Sequence, residues 1–370
     1  MLSPYRFRVY EAFLAYPVGQ EIHTAASGRV AALHEVFLAI EDRSADLTGL
    51  GEVRANIEFI TGTPEADVAP SAIGLLKEMA RAASPTDLAA RFADASQRFP
   101  RIARALVENA LVDLEAKRKG VTAAEYLGGA WRAGVPCNQC VFWGSDADMR
   151  DNLELYLALG FRKIKLRVGI GSIEDDERRL SWIRGRCGAD FALAVDANGA
   201  WAVDDALQNI ERLRRYGITY VEQPTHKGDW PALERVARDS GIDVMIDEGL
   251  QTDEDVARVC ANGGRISAHL KIAKAGGAAA VVAIGRAFDR HGVSYVMGQM
   301  NEGALATAIA VHAGMALEPR LGELYGALGI VNDPGTGVTY RDGAVSVPDQ
   351  AGVGVSLRPD ILALLWDSAA

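Results

Sequence analysis

The sequence predicts an α/β fold: a (β/α)-barrel of the TIM type preceded by a separate α+β segment. Three observations carry that expectation. From about residue 136, short β-branched or apolar runs return at a spacing of roughly 25 to 27 residues, the length of one βα unit. Each run is followed by a segment of helical periodicity with start and stop signals. A chain of 370 residues, 49% of them hydrophobic, is long enough for about two domains.

The repeated runs are Cys137–Trp143, Lys163–Val168, Ala192–Val195, Thr219–Val221, Asp243–Ile246, Ser267–Ile272 and Ser294–Met297, with an eighth expected near Leu321 to Leu328. Ser172-Ile-Glu-Asp175 and Thr252-Asp-Glu-Asp255 read as helix starts, and Gly217 and Gly292 as stops. The first 130 residues break the repeat. A β-rich start (Tyr5–Tyr10, Val36–Ile40) crosses Gly49 and Gly51 into helical stretches at Ile73–Arg81 and Ala103–Lys117. After Gly335, strand-like pieces at Val338–Tyr340 and Ala344–Val347 leave the repeat again.

Composition excludes several functions. With 39 Lys+Arg against 49 Asp+Glu the formal charge is -10, which argues against a nucleic-acid or anionic-membrane surface. Met1 to Ala12 carries Arg6, Arg8 and Glu11 and lacks the apolar core of a secretory signal, and no apolar run reaches membrane-spanning length. A soluble cytoplasmic protein is expected. Cys137-Asn-Gln-Cys140 runs straight into Val141-Phe142-Trp143, so two packed thiols are expected there rather than a redox or zinc centre. The six histidines show no pairing, and His269 and His312 read as strand or helix fillers.

In a TIM barrel the chemistry sits at the C-terminal ends of the strands. Three successive strands end in carboxylates: Asp196, Glu222 and Asp247. Converging like charges need a cation, and all-oxygen ligation suits Mg²⁺. Lys165 on the second strand and Lys271 on the sixth lie across the barrel from each other. A lysine in a cationic, partly desolvated pocket has a lowered pKa and can take a proton near neutral pH. The composition points to proton abstraction next to a carboxylate held by metal.

Lys165-Leu-Arg167, Asp196-Ala-Asn198, Glu222-Gln223-Pro224, Asp247-Glu248 and Lys271-Ile-Ala-Lys274-Ala-Gly-Gly, in that order, resemble the enolase superfamily, and within it the muconate lactonizing enzyme subgroup. Leu111 to Lys117, Tyr126-Leu-Gly-Gly129 and Glu323-Leu-Tyr-Gly326 extend the resemblance over nearly the whole chain. It implies a modified, enolase-like barrel at 131–325, a capping domain at 1–130, and a segment at 326–370 that returns to the cap. It further implies Asp196, Glu222 and Asp247 as Mg²⁺ ligands and Lys271 as the catalytic lysine. Asn198, Glu248 and Lys274 would stand beside them, and Glu302 after the seventh strand would position substrate or a lysine. A loop from Gly19 to Gly28, with Glu21 and His23, would cover the mouth and bear on specificity. Trp143 at the first strand's end would stack on substrate or pack. A homo-oligomer, dimer or octamer, is implied as well.

One departure matters. Aligned on Gly160-Phe161 and Val168-Gly169, the family's second lysine falls on Arg167. Arginine is a poor base and a good fork for an anionic oxygen. One-base chemistry such as cycloisomerisation then gains ground over two-base racemisation or epimerisation, with Lys165 a deeper possible proton carrier. A sugar-acid or hydroxy-acid dehydratase, and a catalytically silent carboxylate-binding barrel, are the competing expectations.

Overall fold

The computed structural model describes residues 3–18 and 20–369; Met1 and Leu2 of the N-terminal stretch, Gly19 of the expected specificity loop, and Ala370 lie outside the described residues. Strands Tyr5–Leu14, Leu33–Asp42 and Leu47–Arg54 form an antiparallel sheet. Its fourth member comes from the far end of the chain: Ala363–Asp367 pairs antiparallel with Tyr5–Leu14.

Gly49 and Gly51 lie inside the third strand, where a break toward helices was expected. The reason is close packing. A Cβ at Gly49 would stand 2.2 Å from the Ala110 carbonyl oxygen, and one at Gly51 2.4 Å from that of Leu106. Both carbonyls belong to the helix Arg101–Lys119, whose buried face includes Ile102, Leu106, Val107, Ala110 and Leu114. Only glycine lets the helix lie this near the sheet.

Eight parallel strands follow in unbroken order: Gln139–Val141, Lys163–Arg167, Ala192–Asp196, Ile218–Glu222, Asp243–Ile246, Ile266–Lys271, Tyr295–Gly298 and Gly322–Glu323. A parallel bridge between Cys137 and Gly322 joins the last strand to the first. The eighth strand is thus two residues of the expected Leu321–Leu328 span. Inside the barrel, Ala194, Tyr220, Met245, Val296 and Leu321 form a separate apolar cluster. Two residues further along the third, fourth and fifth strands stand Asp196, Glu222 and Asp247, so the plug ends where the charges begin.

Thr339–Arg341 and Ala344–Ser346 form a hairpin that pairs with Val135–Pro136 just ahead of the first strand. Cys137 and Cys140 are buried free thiols, and Cys137 Sγ accepts the Leu324 N–H at 3.2 Å. Among the described residues no helix is long and apolar enough to cross a membrane.

Candidate active site

Alternation along each strand selects the residues that enter the barrel mouth. On the second strand Lys163 is exposed, while Lys165 and Arg167 are buried and share one side. Register then places Arg167 opposite Asp196, and Asp196 opposite Glu222. On the sixth strand His269 and Lys271 face inward together, and Lys271 is level with Gly298.

The three acids are buried almost completely, and each is paired with at least one cation, Lys165 being shared by Asp196 and Glu222. Lys165 Nζ donates to Glu222 Oε2 at 2.7 Å, lies 3.4 Å from Asp196 Oδ2, and forms an ion pair with Glu323. Arg167 pairs with Asp196, donates to Asn198 Oδ1 at 3.3 Å, and sits over the Phe142 ring at 5.6 Å. Asp247 takes Lys271 Nζ on Oδ2 at 2.5 Å and Lys274 Nζ on Oδ1 at 2.7 Å. Lys274 also holds the Asp247 and His269 carbonyls, at 2.6 and 3.0 Å.

The ends of the third to fifth strands are stitched to one another. Asn198 N–H donates to Asp196 Oδ1 and its Nδ2 to Glu248 Oε1, both at 2.8 Å. Gln223, in the left-handed region at φ 35°, accepts the Asp247 and Gly249 N–H groups on Oε1 at 3.0 and 3.1 Å. A non-glycine residue holds such a conformation only where its surroundings fix it.

Burial alone would raise the carboxyl pKa values. For Glu222 it is outweighed by Lys165 and His269, and for Asp247 by Lys271 and Lys274, so both stay below the usual range and ionised. Lys165 departs from the expected lowering. Desolvation does press its pKa down, but Glu222 and Glu323 outweigh it and the net shift is upward. Lys165 has no exposed surface.

Two residues for which the sequence carried no expected role in the site, His269 and Glu323, belong to the cluster. His269, read as a filler, hydrogen-bonds Glu222 Oε1 through Nδ1 at 3.0 Å, and burial lowers its pKa. Glu323 clamps Lys165 and accepts Asn138 Nδ2 at 2.8 Å. The period of two places His269 on the face of Lys271, which is the signal that would have found it. Glu323 ends the eighth strand just as the three acids end theirs. By contrast His312 is a buried helix residue that accepts the Ala124 N–H at 3.2 Å.

Donor chemistry favours the three acids as the seat of a hard divalent ion. They offer oxygen only, and Asp196 Oδ2 has no hydrogen bond of regular geometry. Glu222, His269 and Glu323 also bring ligand atoms within 4.8 Å of one another, with Glu222 common to both sets.

The pocket above is lined by Asn198, Asp247, Glu248, Arg167 and Lys271 from the barrel, and by Thr24, Ser27, Arg54, Phe59 and Ile60 from the cap. It shares Thr24, Phe59, Asn198 and Glu248 with an outer chamber of about 740 Å³ that His23 lines. The expected mouth loop contains a small hairpin, Ile22–Thr24 with Gly28–Val30, and Glu21 pairs with Arg29 at 3.0 Å. Trp143 lines a neighbouring pocket, with the Arg179 guanidinium 4.8 Å from its ring centroid. Glu302 is buried, accepts the Met300 N–H at 3.2 Å, and is pushed up to about 7 by burial.

A family profile of enolase C-terminal domain-like proteins matches residues 148–361. Muconate cycloisomerase 1 of Pseudomonas putida is 29% identical over 315 residues, 83% of this chain and 81% of that protein. L-Ala-D/L-Glu epimerase of Bacillus subtilis is 30% identical over 257 residues, 68% of this chain and 70% of the epimerase. The substrate-liganded structure of that epimerase superposes with TM-score 0.87 at 26% identity, covering 97% of this chain and 99% of the other. A dipeptide epimerase from Cytophaga hutchinsonii, complexed with Mg and D-Ala-L-Val, shares the fold at TM-score 0.88 and 22% identity, with 99% of each chain covered.

Proposed function

The chain belongs to the enolase superfamily, in its muconate lactonizing enzyme and mandelate racemase subgroup, and from that membership we propose that it is an isomerase that removes the α-proton of a carboxylate substrate in a Mg²⁺-dependent reaction. The observation that carries the reading is the set Asp196, Glu222 and Asp247 on three adjacent strand ends, with Lys271 beside them in the pocket. Mg²⁺ held by those carboxylates would neutralise the substrate carboxylate, acidify its α-carbon and stabilise the resulting enediolate.

The chain's own groups divide the remaining work. Lys271 lines the pocket and is the base. Lys165 does not line it and is spent on Glu222 and Glu323. Arg167 keeps its proton at any physiological pH, and its guanidinium, fixed by Asp196 and Phe142, offers N–H groups to an anionic oxygen. Asn198 and Gln223 hold the ligand-bearing strand ends in place, and the cap residues Phe59 and Ile60 keep water from the reacting carbon. One base on one face supports cycloisomerisation over two-base epimerisation.

The test is solvent deuterium exchange at the α-carbon across a panel of carboxylic acids, including muconates, dipeptides and N-acylated amino acids. We expect exchange with Mg²⁺, none with a chelator, and a fall of about 10³-fold in Lys271→Ala. Exchange surviving in Lys271→Ala but lost in Lys165→Ala would reassign the base. A 2-keto acid formed from sugar acids would move the assignment to a dehydratase, and silence across the panel would mean a carboxylate-binding barrel without turnover.

A further inference from the structure

We propose that Arg179 is a positioning residue of the pocket: from the helix after the second barrel strand, it holds the Phe142-Trp143 turn that anchors the mouth hairpin and walls the site. Arg179 lies on the buried side of Ile173–Cys187 and is 2% exposed. Among the described residues it forms no salt bridge, and its only hydrogen bond runs from Nη2 to the Phe142 carbonyl oxygen at 3.1 Å; Nε and Nη1 are buried and find no acceptor. Its guanidinium lies 4.8 Å from the Trp143 ring centroid. A guanidinium that gives up its hydration for one backbone carbonyl and one ring is costly to bury, and both partners stand at the tip of the first barrel strand.

That tip acts on the pocket in two ways. Trp143 N–H donates to the His23 carbonyl at 3.1 Å, and among the described residues this is the only backbone hydrogen bond between the barrel and the hairpin of Ile22–Thr24 and Gly28–Val30. The hairpin in turn supplies Ile22, Thr24 and Ser27 to the pocket. Phe142 supplies its ring, which lines the pocket 5.6 Å from the Arg167 guanidinium and meets Tyr325 edge-on at 6.4 Å. The loop after the second strand fits the same turn. A Cβ at Gly171 would stand 2.3 Å from Trp143 Cη2, and Asp176, on the same helix as Arg179, takes the Gly169 N–H at 3.0 Å. Loss of the guanidinium releases the Phe142 carbonyl and uncovers the Trp143 ring, so the hairpin and the Phe142 wall loosen together. The ends of the strands that carry Asp196, Glu222 and Asp247 are stitched separately, through Asn198 and Gln223, and keep their places.

The experiment is amide hydrogen–deuterium exchange, read by mass spectrometry on the full chain without substrate, in wild type, Arg179→Met and Arg179→Lys. Expected in Arg179→Met is about tenfold faster exchange in peptides covering 22–30 and 139–143, with 101–119 and 192–198 unchanged, and a partial return toward wild type in Arg179→Lys, whose ammonium keeps the charge and an N–H donor. Unchanged exchange at 22–30 and 139–143, a rise spread over the whole chain, or an Arg179→Lys protein as fast as Arg179→Met would each overturn the proposal. If Arg179→Met does not fold, Trp143→Leu, which keeps the donating amide and removes the ring, is expected to give the same local acceleration, and its absence there overturns the proposal equally. The readout involves neither substrate nor turnover, so a failure of the isomerase reading leaves this result standing.

Discussion

Arg167 occupies the strand position from which a second base would face Lys271, because the second and sixth strands are four apart in a ring of eight. Its pairing with Asp196 and its place over Phe142 make the substitution a fixed charge in place of a proton carrier. In Arg167→Lys, exchange that in wild type is confined to one face of the α-carbon is expected to appear on both, with an optically active product losing its purity in D₂O. NMR and chiral chromatography of the recovered acid check this, and one-faced exchange in the variant would count against Arg167 as the missing base. At this scale the strand tips were readable, since a period of two tells which residues face inward. The partners were not. Lys165 and Glu323 are 158 positions apart, and nothing local to either announces that one neutralises the other.

The helix Ile173–Cys187 shows how an element is tied to the site. Ser172 and Asp175 close a reciprocal cap, legible as Ser-x-x-Asp, and Asp176 reaches back to accept the Gly169 N–H at 3.0 Å on the loop after the second strand. Asp176 is 1% exposed, and burial pushes its pKa from 3.8 up to about 6. The folded state therefore keeps a proton between those pH values that the unfolded chain has released, so this residue's contribution falls as pH rises from about 4 to 6 and stays low above that. Asp176→Asn is expected to flatten that slope and to gain on the order of 2 to 3 kcal/mol over wild type above pH 6. Urea unfolding of both proteins at pH 4 and pH 7 measures it; a difference independent of pH would remove Asp176 as the cause. Gly49 and Gly51 were misread at this same scale, since glycine in a sequence marks either a break or a close approach, and only the helix lying over them decides which.

Over the whole molecule, the two ends of the chain complete one sheet. Ala363–Asp367 covers the edge of Tyr5–Leu14, Asp367 pairs with Arg6, and Ser368 Oγ accepts the Phe7 N–H at 3.0 Å. Removing residues 362–370 would bare that edge in the sheet that also carries Arg54. A fall of roughly 5 °C or more in melting temperature, with faster proteolysis within the cap, is expected; an unchanged melting curve would show the return strand to be dispensable. The barrel itself was readable from its repeat of runs and helices and from the carboxylates that end three of them, because periodicity and capping are properties of neighbouring residues. The return of the last strand to the first and the burial of Lys165 between acids follow from contacts between residues far apart in the chain. Charges and sheet edges take their meaning from what faces them, and that is set by packing.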